Sequence, residues 1–503
     1  MGKESKQRFI LSLKLNIELF QEDILNKRFE IGRKIYNAVL GKSYNRYKEM
    51  IKTKTWRENQ VNISNVYKTE KDKNKAKKLA KSYFDIKKSM LQEFRLNEYS
   101  LHEDVKNMQH HFKSNIDSFT AQKIASNVWK AYDKLLYGNG ETVHFKKFSE
   151  GLNSLEGKSN KTGIVYKIED NKLVWNGLKI KVQSKLNDYE INSLRNKICY
   201  CRITRKFVRD KYKYNLQLVL EGAPPIKVNK ETGEVKHYIG SGDVGLDIGT
   251  QTIAISSQSD VKIYELADKV QNIENQKRIL LRKLDRSRRC GNPNNYNSDG
   301  TIKKQGNKKV IWIKSNNYKK IQNRLKELYR KQADVRKLQH EILSNYIISL
   351  GDNIYVETMN YAGLQKRAKK TEKDDKGKYK KKKRFGKSLA NKAPSMLLSI
   401  IDRKLHYYGK QLIKIDTWSV KASQYNHLTE TYHKKKLSER WNDLNGIKVQ
   451  RDIYSAFLIM NVNNDLKSIN QNKCNKRFQN FLMLHNKEIE RLTGNKNLSS
   501  IAI

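Results

Sequence analysis

Proline and cysteine are nearly missing from this chain: each occurs 4 times in 503 residues. The cysteines, Cys199, Cys201, Cys290 and Cys474, form no C-x-x-C pair and are too few for a disulfide framework. That excludes a stapled secreted scaffold and points to a reducing compartment. No apolar run approaches the roughly 18 residues that a membrane-spanning helix requires. The amino end, MGKESKQRFILSLKLNIE, carries no signal-peptide pattern, so a soluble, cytoplasmic protein without a membrane partner is expected.

Negative charge is also scarce. Against 103 Lys and Arg stand 52 Asp and Glu, a formal net charge of +51, far beyond what solubility asks and self-repelling unless a polyanion neutralises it. Nucleic acid is the natural polyanion. The 27 tyrosines and 6 tryptophans suit it, because aromatic faces stack on unpaired bases while Lys and Arg follow phosphates.

The length allows roughly two to four domains. Residues 8 to 17, RFILSLKLNI, alternate with Phe9, Leu11, Leu13, Leu15 and Ile17 on one side, the period of a half-buried strand. Charged helical patterns follow over 18 to 137, the clearest at 118 to 137 with Ile124, Val128, Ala131 and Leu135 on one face. From about 140 the period returns to two, with a turn at Asp170-Asn171 and alternation through Tyr212, Tyr214, Leu216 and Leu218. The early strand has no other sheet nearby, so it is expected to pair here, making the helical lobe (18–137) an insertion in an antiparallel β domain (1–17 and 138–240). Residues 221 to 237 read as linker. DVGLDIGTQTIAISSQSDVKIYEL reads as two strands, followed by a helical hairpin over 265–350 in which Leu325, Leu328, Val335, Leu338, Ile342 and Tyr346 fall near heptad spacing. The alternation of strands and helices that follows indicates an α/β multidomain chain.

Three acids stand in similar settings. Asp247 interrupts an apolar strand, Glu357 ends the run NIYVE, and Asp452 opens a helix. Singly, each has an ordinary reading: Asp452 as a helix N-terminal acid favoured by the dipole, Glu357 as a strand-end charge, Asp247 as a carboxylate with a local partner. Together they match what phosphodiester hydrolysis requires, carboxylates converging from separate elements on a pair of Mg²⁺ ions. Gly245 and Gly249 flank Asp247 and would let metal and phosphate approach closely.

VGLDIGTQTIA, IYVETMNYAGL and VQRDIYSAFLIMNV, in this order, resemble the three segments of the RuvC-like (RNase H-like) nuclease domain of TnpB-type transposon-encoded proteins and compact type V CRISPR effectors. The resemblance covers most of the chain. It implies a β wedge domain with an inserted helical recognition lobe and a RuvC-like domain over 241–420 and 447–480. It further implies Asp247, Glu357 and Asp452 as Mg²⁺ ligands, and as partners a guide RNA and double-stranded target DNA read beside a short flanking motif. A bacterial, nucleoid-associated setting goes with it, and monomer and dimer both stay open. Most relatives carry a four-cysteine zinc ribbon before the last acidic motif. Here 421–446 has Tyr425, Asn426 and Asn442 but no cysteine, and His427 and His433 lack thiolate partners, so a metal-free remnant without structural zinc is expected, ahead of a tail at 481–503. Arg440 matches a ribbon arginine that can stabilise charge on the transferring phosphate; without the resemblance it reads equally as a surface arginine. Lys380, Lys381, Lys382, Lys383 and Arg384, with Lys387, are candidate nucleic-acid contacts. Trp175, Tyr212 and Tyr214 are either core or nucleic-acid contacts. The expected activity is RNA-guided, metal-dependent DNA cleavage. Its rivals are a guide-dependent repressor that does not cut, and a DNA-joining transposase of the same fold.

Overall fold

The computed structural model describes residues 6–138, 140–183, 185–270, 272–303, 310–366, 371–372, 377, 379, 385–436 and 439–494. It divides into two compact units, Met1–Pro225 and Ile226–Ile503. The division falls inside the segment 221–237 read as linker, so residues 226–240, included above in the β domain, fall in the second unit. Among the described residues no helix is long and apolar enough to cross a membrane.

In the first unit, β1 (Arg8–Asn16) buries Phe9, Leu11, Leu13 and Leu15 and exposes the residues between them. It lies inside a seven-stranded sheet with β2 (Ser154–Glu156), β3 (Val165–Lys167), β4 (Lys172–Trp175), β5 (Leu178–Val182), β6 (Ile198–Val208) and β7 (Lys211–Glu221), in the order β2-β6-β7-β1-β5-β4-β3. β1 runs antiparallel to both neighbours, Leu13 opposite Leu216 on β7 and Leu15 opposite Val182 on β5. Asn171, at φ 47°, closes the β3–β4 turn, a left-handed position that asparagine tolerates. The helices between β1 and β2 include α1 (Leu19–Lys52) and α2 (Ser118–Tyr137). The buried stripe of α2 is Ala121, Ile124, Ala125, Val128 and Tyr132, rotated from the expected face because the Tyr132 hydroxyl meets buried Ser43 on α1. Trp175 is fully buried, donating from Nε1 to Asp117 Oδ2 (2.8 Å) under the Arg28 guanidinium. Tyr214 is also buried, its hydroxyl on Asn26. Both are core; Tyr212 is half-buried beneath Arg205.

The second unit is built on a mixed five-stranded sheet. β8 (Asp243–Ile248), β9 (Thr252–Ser257) and β10 (Val261–Glu265) form an antiparallel meander, and β11 (Asn353–Glu357) and β12 (Ile413–Ile415) extend it in parallel, in the order β10-β9-β8-β11-β12. The segment expected to hold two strands thus holds three, because Ser257 Oγ closes a second tight turn with the Asp260 backbone. Helices cover both faces. On one, α3 (Asn316–Leu350) and α4 (Pro394–His406) pack Ile347, Ile348, Leu397 and Ile401 onto Val244, Leu246, Ile354 and Val356. On the other lie α5 (Arg451–Met460) and α6 (Gln471–Thr493). The boundary expected at 481 falls inside α6, where Phe481, His485, Glu488 and Leu492 are buried. The heptad-like stripe of α3 is not its buried face: Val335, Leu338 and Ile342 are exposed, whereas His340 and Ser344 are buried. His340 Nε2 bonds to Lys392 O and Lys404 Nζ donates to Ser344 Oγ.

Candidate active site

Alternation along β8 puts Val244, Leu246 and Ile248 into the core under α3 and α4, and turns Asp243, Gly245 and Asp247 toward α5 and α6. Along β11 the same rule turns Asn353, Tyr355 and Glu357 to that side. The two strands are parallel, with Leu246 beside Val356, so one step further Asp247 stands beside Glu357 across a strand spacing of about 4.8 Å. A one-residue slip in either strand would bury one carboxylate in the opposite core.

Asp452 arrives from the helix. A Cβ on Gly245 would lie 2.0 Å from Ala456 O and 2.7 Å from Met460 N, so the backbone of α5 rests directly on β8 where a side chain is missing. Four helical residues rise about 6 Å, nearly the advance of two strand residues. With Ala456 over Gly245, Asp452 comes over Asp247. This corrects the role expected for the glycine pair: Gly245 admits a helix, not a metal. Gly249 meets nothing nearer than 3.6 Å and serves the turn in which its N–H donates to Thr252 O (2.9 Å). Gln450 caps α5, its side chain accepting from Ile453 N, and Asp452 sits in the first turn, where the helix dipole favours an anion.

The electrostatics separate these carboxylates. Asp243, on the same face as Asp247, is neutralised by Arg477 at 3.1 Å. Among the described residues no hydrogen bond or ion pair reaches the side-chain carboxylate of Asp247 or Glu357, although both backbones are paired in the sheet. Burial, then the charges of Glu357 and Asp452, push Asp247 well above the usual carboxylate range, with Arg451 pulling partly back. Burial raises Glu357 to about 7. Asp452 is held by Arg451, whose Nε and Nη2 lie 3.2 and 3.1 Å from Oδ1, while Arg440 Nη1 lies 3.8 Å from Oδ2. Arg451 also donates to Glu439 O, and its N–H donates to Arg440 O, tying the Arg440 loop to the start of α5. Tyr361 donates to Ile248 O (3.2 Å) at the end of β8. Burial, Asp247 and Glu357 all raise its phenol.

Among the described residues no group of three or more His, Cys, Asp or Glu side chains forms a metal-holding cluster, and Asp452 is bonded to Arg451. The donors nonetheless suit a hard divalent cation: two adjacent, unpartnered carboxylates facing a third are costly without positive charge, and oxygen ligands are what Mg²⁺ takes. The two ribbon histidines stand apart in character. His427 is fully buried, Nδ1 2.6 Å from the Tyr454 hydroxyl and packed on Phe478, and burial pushes it down to about 4. His433 is exposed just after the strand pair Tyr425–Asn426 and Thr431–Tyr432, bonded to Thr431. A second hairpin pairs Trp441–Leu444 with Ile447–Gln450 and buries Asn442. Lys380, Lys381, Lys382, Lys383 and Arg384 lie outside the described residues. Arg451 and Tyr361 were not singled out from sequence. Arg451 had one cue, its place beside Asp452; Tyr361 had none beyond lying in the quoted second segment.

No protein-family model matches the chain, and no curated protein does. Among solved structures it is similar to the cryo-EM structure of the Cas12f1-sgRNA-target DNA complex, at 11% identity over 90% of this chain and 98% of that one, with a TM-score of 0.37. It is also similar to the cryo-EM structure of a CRISPR-Cas12f ternary complex, at 12% identity over 88% and 82%, with a TM-score of 0.24.

Proposed function

We propose that the chain is an RNA-guided DNA endonuclease of the TnpB and compact type V effector kind, with the RuvC-like site in its second unit. The observation that carries this reading is the unpartnered pair Asp247 and Glu357 on adjacent parallel strands, with Asp452 brought over them by α5, in a chain of net charge +51. Asp247, Glu357 and Asp452 would hold Mg²⁺, which when bound supplies activated water and stabilises the leaving oxygen. Gly245 sets the height of the third carboxylate. Arg451 orients Asp452, and Arg440, 3.8 Å from the same carboxylate, would meet phosphate charge. Base pairing by a bound RNA would choose the target, with the protein reading a short flanking motif, a division of labour known for Cas9-type effectors.

The reading is tested by purifying the protein with its nucleic acid and sequencing the RNA. A discrete RNA of defined sequence is expected, and DNA matching it should be cut in the presence of Mg²⁺. Random cellular RNA, or none, contradicts guidance. One observation favours a second reading, a guide-dependent DNA-binding repressor: Arg451 already occupies the Asp452 carboxylate. That reading predicts tight, RNA-dependent binding to the same DNA without cleavage.

A further inference from the structure

A cleft of about 590 Å³ in the first unit gathers positive charge on two walls. One wall is α2, where Lys123, Asn127, Lys130 and Lys134 recur at intervals of four, three and four and so share a face. The row spans about 16 Å, the length of about five stacked nucleotides at 3.4 Å each. The other wall is the extended segment through His144 and Lys146. It is fixed to α1: the Asn37 side chain donates to Lys146 O and accepts from Lys146 N (2.9 and 2.8 Å), and Arg33 donates to the same carbonyl. The lining carboxylate, Glu156, is neutralised by Arg202 at 2.7 Å, with Lys123 at 3.8 Å. Two residues beyond Lys146, Phe148 is 78% exposed, with the Arg33 guanidinium over its ring. A fixed basic wall, a lysine row and an exposed ring make a poor seat for a small neutral ligand and a good one for a strand of phosphates and bases.

We propose that this cleft seats a single nucleic-acid strand, its phosphates on Lys130, Lys134 and Lys146 and one base stacked on Phe148. The proposal rests on the nucleic-acid half of the functional reading and not on cleavage. The test is fluorescence anisotropy on the full chain, freed of nucleic acid, against a labelled RNA, a DNA strand of the same sequence and the DNA duplex, over a range of salt. The variant Lys130→Glu/Lys134→Glu/Lys146→Glu should bind the preferred single strand about tenfold or more weaker, with a salt slope smaller by about 2, since each lost phosphate contact on a single strand removes about 0.7. Phe148→Ala should weaken binding several-fold or more and leave the slope unchanged. The control reverses three exposed lysines on the sheet of the same unit, Lys179, Lys181 and Lys213. Equal losses in control and cleft variants would overturn the site, as would unchanged affinity and slope in the cleft variant. A milder triple change to Gln, checked by circular dichroism, keeps the test decisive if charge reversal unfolds the protein. Wild-type protein that binds none of the three probes would instead sink the nucleic-acid reading itself. The RNA and DNA arms identify which strand the cleft prefers.

Discussion

Glu357 and His427 are both buried ionisable groups, and their effects on stability have opposite signs. Glu357 is raised from 4.5 to about 7, so between those values the folded protein keeps a proton that the unfolded chain releases. Its stabilising contribution is complete below pH 4.5 and is lost as pH rises through 7. Glu357→Gln should therefore raise the melting temperature at pH 8 by several degrees and change it little at pH 4. Mg²⁺ should do the same for the wild type at pH 8 and much less for the variant, since a ligand that binds only the folded state stabilises it. His427 is lowered from 6.5 to about 4: the unfolded chain takes a proton that the folded one refuses, and stability falls with pH through that window. The loss is on the order of 3 kcal/mol. His427→Gln should flatten the acid limb of stability against pH, measured by urea unfolding. Asp247 and Glu357 were legible as charges where apolar periodicity wanted none. Their neighbours Arg451 and Tyr361 were not, because which side chain satisfies a carboxylate or a strand-end carbonyl depends on how separate segments pack.

At the scale of elements, the site depends on how closely α5 approaches β8. Gly245→Ala would drive a methyl into Ala456 O and Met460 N, backbone atoms that cannot turn aside, and should cost about 3 kcal/mol or more while lifting Asp452 away from Asp247. Gly249→Ala, with 3.6 Å of room, should change stability by less than about 1 kcal/mol. Chemical denaturation of the two variants separates them. The strict alternation of β1 was readable because one face is buried and the other wet. β10 was merged with β9 because its turn is short and rich in serine. The buried face of α3 was not readable for a different reason: buried His340 and Ser344 have polar partners on α4 and just before it, which hydropathy does not register, while Val335, Leu338 and Ile342 face outward.

For the whole molecule, the charge of +51 predicts that protein stripped of nucleic acid melts at a higher temperature as salt screens its self-repulsion, while its affinity for RNA falls log-linearly over the same range. A melting temperature that drops with salt would argue that the charge is already balanced within the fold. Composition revealed that charge but not where the chain divides, since the break at Pro225 and Ile226 depends on the packing of 226–240 against later segments, as in the bond from Gly240 N to Ile348 O. On the proposed function, a basic chain would bring DNA to a carboxylate site centred on Asp247. The most direct test is cleavage of guide-matched DNA by Asp247→Ala protein carrying its co-purified RNA, measured in Mg²⁺ beside the wild type. The account predicts that cleavage disappears while the RNA is retained; cleavage at the wild-type rate would contradict it.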